Sequence, residues 1–143
     1  FAICATPAFL EQYGTPRHPS DISRMPAVID SNARVLYNWT FQDPQNGAPI
    51  PITVSGRFSA NSPYTVRAAT LAGLGVALIP EFVVRTDIAE GRLVTVLDEF
   101  VPHDAGIYAV FPHRRHLPAR TRVFVDFLAT WFRKNSPGRE GPA

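Results

Sequence analysis

The sequence predicts an α/β fold, in which helices cover a buried β-sheet. The first observation is the segment 66–80 (VRAATLAGLGVALIP), whose apolar residues at helical spacing are Val66, Ala69, Leu71, Ala72 and Leu74. The second is that Gly73 and Gly75 supply the left-handed or tightly turned backbone that ends a helix. The third is the continuous apolar run 76–79, which is typical of a strand covered on both faces. Helix, glycine turn, buried strand and helix in succession indicate an α/β sheet rather than a bundle or a sandwich.

The chain opens with an apolar strand at residues 1–5 (FAICA), and a helix follows it. Thr6 precedes Pro7, which is the pattern of an N-cap with proline in the first helical turn. Gly14 ends this helix. Native chains seldom begin inside a core strand, so the sequence predicts a part of a longer protein.

A short helical turn, a strand and a hairpin are predicted next. A proline-braced connection leads into the turn that carries Ile22, and residues 26–30 (PAVID) form a strand. Segments 35–42 and 50–58 are rich in β-branched and aromatic residues, and the turn-forming sequence DPQNG separates them. This arrangement predicts a β-hairpin.

Two helices with clear start signals flank the buried strand. Asn61 or Ser62 is predicted to cap the first, with Pro63 in its first turn. Pro80 begins the second, which covers residues 81–90 and stops at a glycine. The residues of this second helix that are predicted to face inward are Phe82, Val83 and Ile88.

The C-terminal third is predicted to contain two more strands and a long helix. Residues 92–97 form a strand, 98–106 a polar crossing and 107–111 another strand. Pro118 begins the last helix, and residues 135–143 form a disordered tail. One wide apolar face of this helix, predicted to be mainly core, consists of Val123, Phe124, Phe127, Leu128, Trp131 and Phe132.

Composition limits the class of protein. The 143 residues, 45% apolar and 18% charged, suffice for one modest domain or two small lobes. No apolar run approaches the roughly 20 residues that span a bilayer, and no signal peptide is visible, so a cytoplasmic protein without membrane contact is predicted. The single cysteine, Cys4, is predicted to be a small buried hydrophobe. The net charge of +2 is small and the arginines are scattered, which does not favour nucleic-acid binding by these residues.

Two motifs that could carry chemistry have simpler explanations. Gly73 and Gly75 close a helix and lead into a strand, which is the reverse of the order in a dinucleotide-binding fingerprint. His113 and His116 have the spacing of metal ligands, but no acidic residue or cysteine nearby completes a site. No G-x-S-x-G nucleophile elbow occurs. The sequence therefore predicts no catalytic residue, no metal site and no cofactor.

Four segments occur in a recognisable order along nearly the whole chain. They are ATPAFLEQYGTPRHPSDI near the start, VRAATLAGLGVALIPEFVV in the middle, EGRLVTVL after it and IYAVFPHRRHLPARTRVFVDFL near the end. This order resembles the C-terminal part of the effector-binding domain of LysR-type transcriptional regulators. The resemblance implies a periplasmic-binding-protein-like α/β fold of two lobes, with a small-molecule effector in the cleft between them.

The resemblance also implies a division of the chain. Residues 1–101 would form the effector-binding second lobe with the first crossing strand, and residues 102–134 would return to the first lobe as a strand and a C-terminal helix. The second lobe is then largely complete, and the first lobe is only partly present. The family's helix-turn-helix is not among these residues, so DNA would be bound only through that absent domain. A homo-oligomer is expected of the full-length protein, and the effector would shift its population of lobe and oligomer arrangements.

Two other classes of protein are weaker interpretations. A lobe of a solute-binding protein of a transport system shares the fold, but such a protein needs an export signal and none is visible. An enzyme of small-molecule metabolism is not supported by any motif.

Five residues are the candidates for effector binding. By the resemblance, Thr6 stands where the first crossing strand enters a helix, so its hydroxyl and the helix N–H groups could face an effector carboxylate. Asn61 and Ser62 form the corresponding site at the start of the helix that carries Val66, although capping alone would also explain both places. Gly75 and Val76 are expected beside the cleft at a strand end, with turn geometry as the alternative.

Two arginines are weaker candidates. Arg34 and Arg57 could neutralise an anionic effector, although an arginine near a strand end is more often solvated.

Overall fold

The computed structural model describes residues 1–32, 37–102, 110 and 118–135. The chain divides into two compact units, residues 1–105 and residues 106–143. The first unit contains the sheet and its covering helices, and the described part of the second unit is one long helix.

The first unit contains seven strands and four α-helices among its described residues. In chain order they are β1 (Ala2–Ala5), α1 (Pro7–Tyr13), α2 (Pro19–Ile22), β2 (Pro26–Asp30), β3 (Asn38–Gln42), β4 (Pro49–Thr53), β5 (Ser55–Ala60), α3 (Pro63–Leu71), β6 (Val76–Ile79), α4 (Glu81–Ala89) and β7 (Val94–Thr95). A 3₁₀ turn follows at Asp98–Phe100, and the second unit contributes α5 (Ala119–Asn135).

Five of the strands form one mixed sheet in the order β5-β2-β6-β1-β7. β5, β2 and β6 are parallel, whereas β1 is antiparallel to both of its neighbours, β6 and β7. β3 and β4 form a separate antiparallel hairpin. The three inner strands, β2, β6 and β1, carry the continuous apolar runs because they are covered on both faces.

Side chains that alternate along the strands fill two cores, one on each face of the sheet. On one face, Ile3, Ala27 and Val76 pack with residues of α1, α2 and the hairpin, including Phe9, Ile22, Trp39 and Phe41. On the other face, Cys4, Val28 and Ala77 pack with residues of α3 and α4, including Val66, Ala69, Val83 and Val84. The predicted α/β architecture therefore has its physical basis in a sheet with helices on both faces.

Several predicted boundaries are confirmed because each rests on a strong local signal. Thr6 is the N-cap of α1, Pro7 is in its first turn, and Gly14 follows its end with φ of 86°. Pro63 begins α3 directly after Ser62, and β6 occupies the predicted residues 76–79. The predicted strand at 26–30, the turn that carries the buried Ile22 and the helix that follows Pro80 are also present.

The predicted single strand at 50–58 is wrong. It is two strands in two different sheets, β4 in the hairpin and β5 beside β2, and Val54 separates them. Val54 is buried, and its N–H donates to the carbonyl of Tyr37 at 2.7 Å, so the chain passes from one sheet to the other at this residue. A pattern of β-branched residues does not reveal which sheet a strand joins.

The phase of α4 and the end of α3 also differ from prediction. Phe82 was predicted to face inward, but it is 71% exposed, and the buried positions are Val83, Val84 and Asp87. Leu74 was predicted to belong to the apolar helical pattern of α3, but it is exposed and lies beyond the end of that helix at Leu71.

Of the predicted strand 92–97, β7 covers residues 94–95, and the N–H of Val96 also donates to the carbonyl of Ile3. Leu97 adopts a left-handed conformation with φ of 58°, which ends the extended backbone. The predicted polar crossing that follows begins instead with a 3₁₀ turn, and both its last residue, Phe100, and the following Val101 are buried.

The helix predicted after Pro118 is confirmed as α5. Val123, Phe124, Phe127 and Trp131 are exposed. The predicted strand 107–111, the rest of the crossing at 103–106 and the tail beyond Asn135 lie outside the described residues, apart from Val110.

Candidate functional site

The register of the sheet places the five predicted site residues at two opposite edges. Cys4 pairs with Ala77, and Val28 pairs with both Ala77 and Phe58, so these residues form one row across the sheet. The Thr6 edge, on one side of that row, holds Thr6, Gly75 and Val76; the Ser62 edge, on the other side, holds Asn61 and Ser62. The rise of a strand makes the distance from Gly75 to Ile79 alone about 13 Å. One small molecule therefore cannot contact both groups.

At the Thr6 edge, each predicted site residue has a role in the fold. The Thr6 hydroxyl accepts a hydrogen bond from the N–H of Phe9 at 3.2 Å, which caps α1. A Cβ at position 75 would lie 2.6 Å from the carbonyl oxygen of Pro26, so only glycine fits beside β2. Val76 is 0% exposed. Each of these three residues therefore already contributes to the fold.

At the Ser62 edge, the start of α3 is left without a side-chain cap. Ser62 is the N-cap residue, with φ of −140° and ψ of 123°, yet its hydroxyl makes no capping hydrogen bond. The first hydrogen bond of the helix runs from the N–H of Val66 to the carbonyl of Ser62 at 3.0 Å. Pro63 has no N–H, and the N–H groups of Tyr64 and Thr65 precede that first bond. Two donors at the positive end of the helix dipole are thus available to an acceptor.

The first two residues after β2, Ser31 and Asn32, hold the backbone beside Ser62 in place. The N–H of Ser31 donates to the carbonyl of Ala60 at 2.8 Å, which extends the pairing of β2 with β5. The side-chain amide of Asn32 donates to the carbonyl of Asn61. Asp30 accepts from the N–H of Asn32 at 2.9 Å and fixes the turn. The residue that precedes Ser62 is therefore anchored from across the sheet.

The Ser62 edge also carries exposed aromatic rings. Tyr64 in the first turn of α3 is 64% exposed, and Phe82 in the first turn of α4 is exposed as well. Both residues follow the carboxyl end of a parallel strand, β5 for Tyr64 and β6 for Phe82. In open α/β sheets, ligands bind outside the carboxyl ends of the strands.

A buried ion-pair network behind α3 is a feature that the sequence analysis missed. Asp87 of α4 is 0% exposed and accepts two hydrogen bonds from the Arg67 guanidinium of α3, with 2.7 Å between Nη2 and Oδ1. Nη2 of Arg92 lies 2.8 Å from the same Oδ1. The hydrogen bonds from Arg67 hold the pKa of Asp87 below its ordinary value. The available signal was an acidic residue four positions after the inward-facing Val83, since a buried carboxylate requires a partner.

Cys4 is buried, as predicted for a small hydrophobe. Burial, with a smaller effect of the nearby Asp87 carboxylate, raises the pKa of its thiol to about 12. The thiol is therefore protonated and inert at neutral pH.

The remaining predicted chemistry lies mostly outside the described residues. This is the case for Arg34, His113, His116 and the side chain of Arg57. Within the part of the chain that the structure describes, no group of three His, Cys, Asp or Glu residues could hold a metal ion. Over the same residues, no helix is both long and apolar enough to cross a membrane.

Comparison with known proteins gives one consistent family. A family model described as the LysR substrate binding domain matches residues 1–133. The HTH-type transcriptional regulator DmlR of Escherichia coli (strain K12) is 34% identical over 136 residues, covering 94% of this chain and 43% of that protein. The HTH-type transcriptional regulator PtxR of Pseudomonas aeruginosa is 33% identical over 124 residues, covering 87% of this chain and 39% of that protein. The chain thus spans less than half the length of these two relatives.

Solved structures agree on the fold. The regulatory domain of CrgA, a LysR-type transcriptional regulator from Neisseria meningitidis, has a TM-score of 0.65 and 27% sequence identity, covering 91% of this chain and 63% of that one. A full-length variant of AphB has a TM-score of 0.68 and 25% identity, covering 89% of this chain and 43% of that one. The predicted periplasmic-binding-protein-like α/β fold is confirmed by these neighbours.

Proposed function

We propose that the Ser62 edge of this chain binds a small effector carrying a carboxylate. The premise is that the chain belongs to the LysR substrate-binding domain family of LysR-type transcriptional regulators. The observation that supports this site is the uncapped start of α3 at the carboxyl ends of the parallel strands. Asn61 and Ser62 are its proposed polar residues. Thr6, Gly75 and Val76 are assigned to the fold instead, since they lie at the opposite edge and already have structural roles.

The start of α3 suits an anion for two reasons. The N–H groups of Tyr64 and Thr65 can donate charge-assisted hydrogen bonds to a carboxylate, and the Ser62 hydroxyl can add a third. The helix dipole favours negative charge there by about 0.3–1 kcal/mol where the site is exposed. Fewer donors remain at the start of α1, because the N–H of Phe9 already donates to the Thr6 hydroxyl.

The exposed rings favour an effector that also has an apolar part. Tyr64 and Phe82 leave aromatic surface open at the Ser62 edge. Binding sites for small molecules combine apolar walls with a few placed polar groups. We therefore expect small carboxylates with a ring or a short hydrocarbon chain to bind better than inorganic anions.

The path of the backbone through the sheet also supports the Ser62 edge as the effector site. β1 begins there, since Ala2 pairs with Ile79, and β7 runs toward it, since the N–H of Val96 donates to the carbonyl of Ile3 at 2.9 Å. The backbone thus enters and leaves the sheet at the Ser62 edge. In this proposal residues 1–101 are the second lobe, 102–134 are the return to the first lobe, and 135–143 are the tail.

In the full-length protein, the effector would act by population shift. A ligand that fits one lobe arrangement better than another changes the fraction of the oligomer in each arrangement, and hence its DNA contacts. DNA would be bound through a helix-turn-helix outside this chain, in a cytoplasmic homo-oligomer without catalytic activity. The comparisons do not favour a transport solute-binding protein.

Replacing the amide donor of Thr65 tests the site. Proline is tolerated in the first helical turn, and Thr65→Pro removes one N–H that a carboxylate would use. In titrations of this chain with benzoate, we expect the affinity of Thr65→Pro to fall about tenfold, the size of one charge-assisted hydrogen bond.

The matched control is Thr65→Ala, which removes the side chain and keeps the N–H. We expect it to bind benzoate with nearly the affinity of the parent chain. Equal affinities of the proline and alanine variants would contradict binding at the start of α3, as would failure of benzoate and other small carboxylates to bind the parent chain.

A further inference from the structure

We propose that Asn32 is a positioning residue of the effector site, which fixes the backbone of Asn61 so that the first N–H groups of α3 are presented in one orientation. This role rests on the proposed function of the Ser62 edge. Asn32 does not contact the effector in this proposal, and it acts through the backbone of Asn61.

Among the described residues, the hydrogen bond from Asn32 to Asn61 spans more of the sequence than that of any other exposed asparagine or aspartate side chain. The Asn32 side-chain amide donates to a carbonyl 29 residues away in sequence. The Asn38 side chain accepts from the Thr53 hydroxyl 15 residues away, within the hairpin. The turns at Asp43 and Asn46 are local: Asp43 accepts from the N–H of Gln45 at 2.8 Å, and Asn46 accepts from the N–H of Ala48 at 2.8 Å. Those local bonds shape their own loop, whereas Asn32 joins the ends of two different strands.

Asn32 is itself held in place by two further contacts. Its N–H donates to Oδ1 of Asp30 at 2.9 Å, which closes a tight turn. The preceding residue, Ser31, donates to the carbonyl of Ala60 at 2.8 Å. The first two residues after β2 are therefore held by the Asp30 side chain and by the β5 backbone, and the side chain of Asn32 reaches Asn61.

Asn61 stands directly before the N-cap residue of α3, so its carbonyl sets the direction in which the chain enters the helix. Ser62 makes no capping hydrogen bond that would fix this entry locally. Loss of the Asn32 contact would leave the entry to α3 free to move. The N–H groups of Tyr64 and Thr65 would then converge on an anion less often, and affinity would fall by the fraction of time that they are misplaced.

The test is Asn32→Ala in this chain, with Asn46→Ala as the matched control. Both residues are exposed asparagines, and each variant removes one hydrogen bond of an exposed side chain. The readouts are the dissociation constants of benzoate and of inorganic sulfate, the melting temperature, and amide hydrogen exchange at Tyr64 and Thr65.

For Asn32→Ala we expect about fivefold weaker binding of both anions, which corresponds to one ordinary hydrogen bond. We also expect faster amide exchange confined to the start of α3, and a melting temperature close to that of Asn46→Ala. A role in stability alone would lower the melting temperature and leave the local exchange and the affinities unchanged. That result would overturn the positioning role.

The failure of the two proposals can be distinguished. If neither anion binds the parent chain, the proposed site is wrong, and with it the effector role of Asn32. If the parent chain binds benzoate, and Asn32→Ala binds it equally well with unchanged exchange at Tyr64 and Thr65, only the positioning role is wrong.

Discussion

The Thr6 edge and the Ser62 edge of the sheet begin with the same sequence signature and use it differently. At each edge a hydroxyl residue follows a strand, and proline stands next in the first turn of a helix. The Thr6 hydroxyl accepts from Phe9 and caps α1, whereas the Ser62 hydroxyl makes no cap. The signature locates the start of a helix, but it does not determine whether the hydroxyl serves the helix or remains available to a ligand.

The surroundings of the two helices explain this difference. α1 has seven residues and depends on its cap, since an isolated helix of that length is unstable. α3 is held against α4 by the bonds from Arg67 to Asp87 and by buried Val66 and Ala69. A helix that is held by such contacts along its length loses little stability when its N-terminus has no side-chain cap.

Removal of Asp87 gives the largest expected effect, because it releases α3 from α4. Asp87→Ala deletes the charge-assisted bonds from Arg67 and from Arg92 and is expected to lower the free energy of unfolding by about 3 kcal/mol at neutral pH. Chemical denaturation measures this loss. As a control, Glu81→Ala removes an exposed pair with Arg85 at 3.7 Å and should change stability by less than about 0.5 kcal/mol.

The loss of stability caused by Asp87→Ala should depend on pH. The pKa of Asp87 is lower in the folded state than in the unfolded chain, where it is about 3.9. The carboxylate therefore stabilises the fold fully above that value, and the contribution is lost as the pH falls through the lower pKa of the folded state. The difference between the parent chain and Asp87→Ala should shrink below about pH 4. A difference that stayed constant down to about pH 2 would contradict the ion-pair explanation.

Substituting the two hydroxyl residues, Thr6 and Ser62, tests the comparison of the two edges directly, with a smaller expected change in stability. Thr6→Ala removes an observed N-cap bond and should cost about 1 kcal/mol. Ser62→Ala removes a hydroxyl that makes no cap, so its free energy of unfolding should stay within about 0.5 kcal/mol of the parent chain. Thermal or chemical unfolding of both variants gives the answer. Equal costs would mean that Ser62 caps α3 in solution and that the two edges do not differ.

Local sequence signals were sufficient for most of the fold. Thr6 with Pro7, Gly14, Pro63 and Gly73 lie at or next to helix ends where they were expected, since each is governed by backbone sterics or by a nearby donor. The order of motifs then indicated the family and, through it, the class of function.

Features that depend on the register of distant strands could not be predicted in the same way. The change of sheet at Val54 leaves no mark in the pattern of apolar residues. The separation of Thr6 from Ser62 follows from the antiparallel pairing of β1 with β6, which the sequence does not encode locally. The contact of Asn32 with Asn61 is equally hidden, because the two residues meet only after β2 and β5 pair.

The most direct test of the central claim is a titration of the isotope-labelled parent chain with benzoate, followed by amide chemical shifts. Binding at the Ser62 edge predicts saturable shifts at Asn61, Ser62, Tyr64 and Thr65, with little change at Thr6, Gly75 and Val76. Shifts concentrated at Thr6 and Gly75 would contradict the assignment of the effector site to the Ser62 edge.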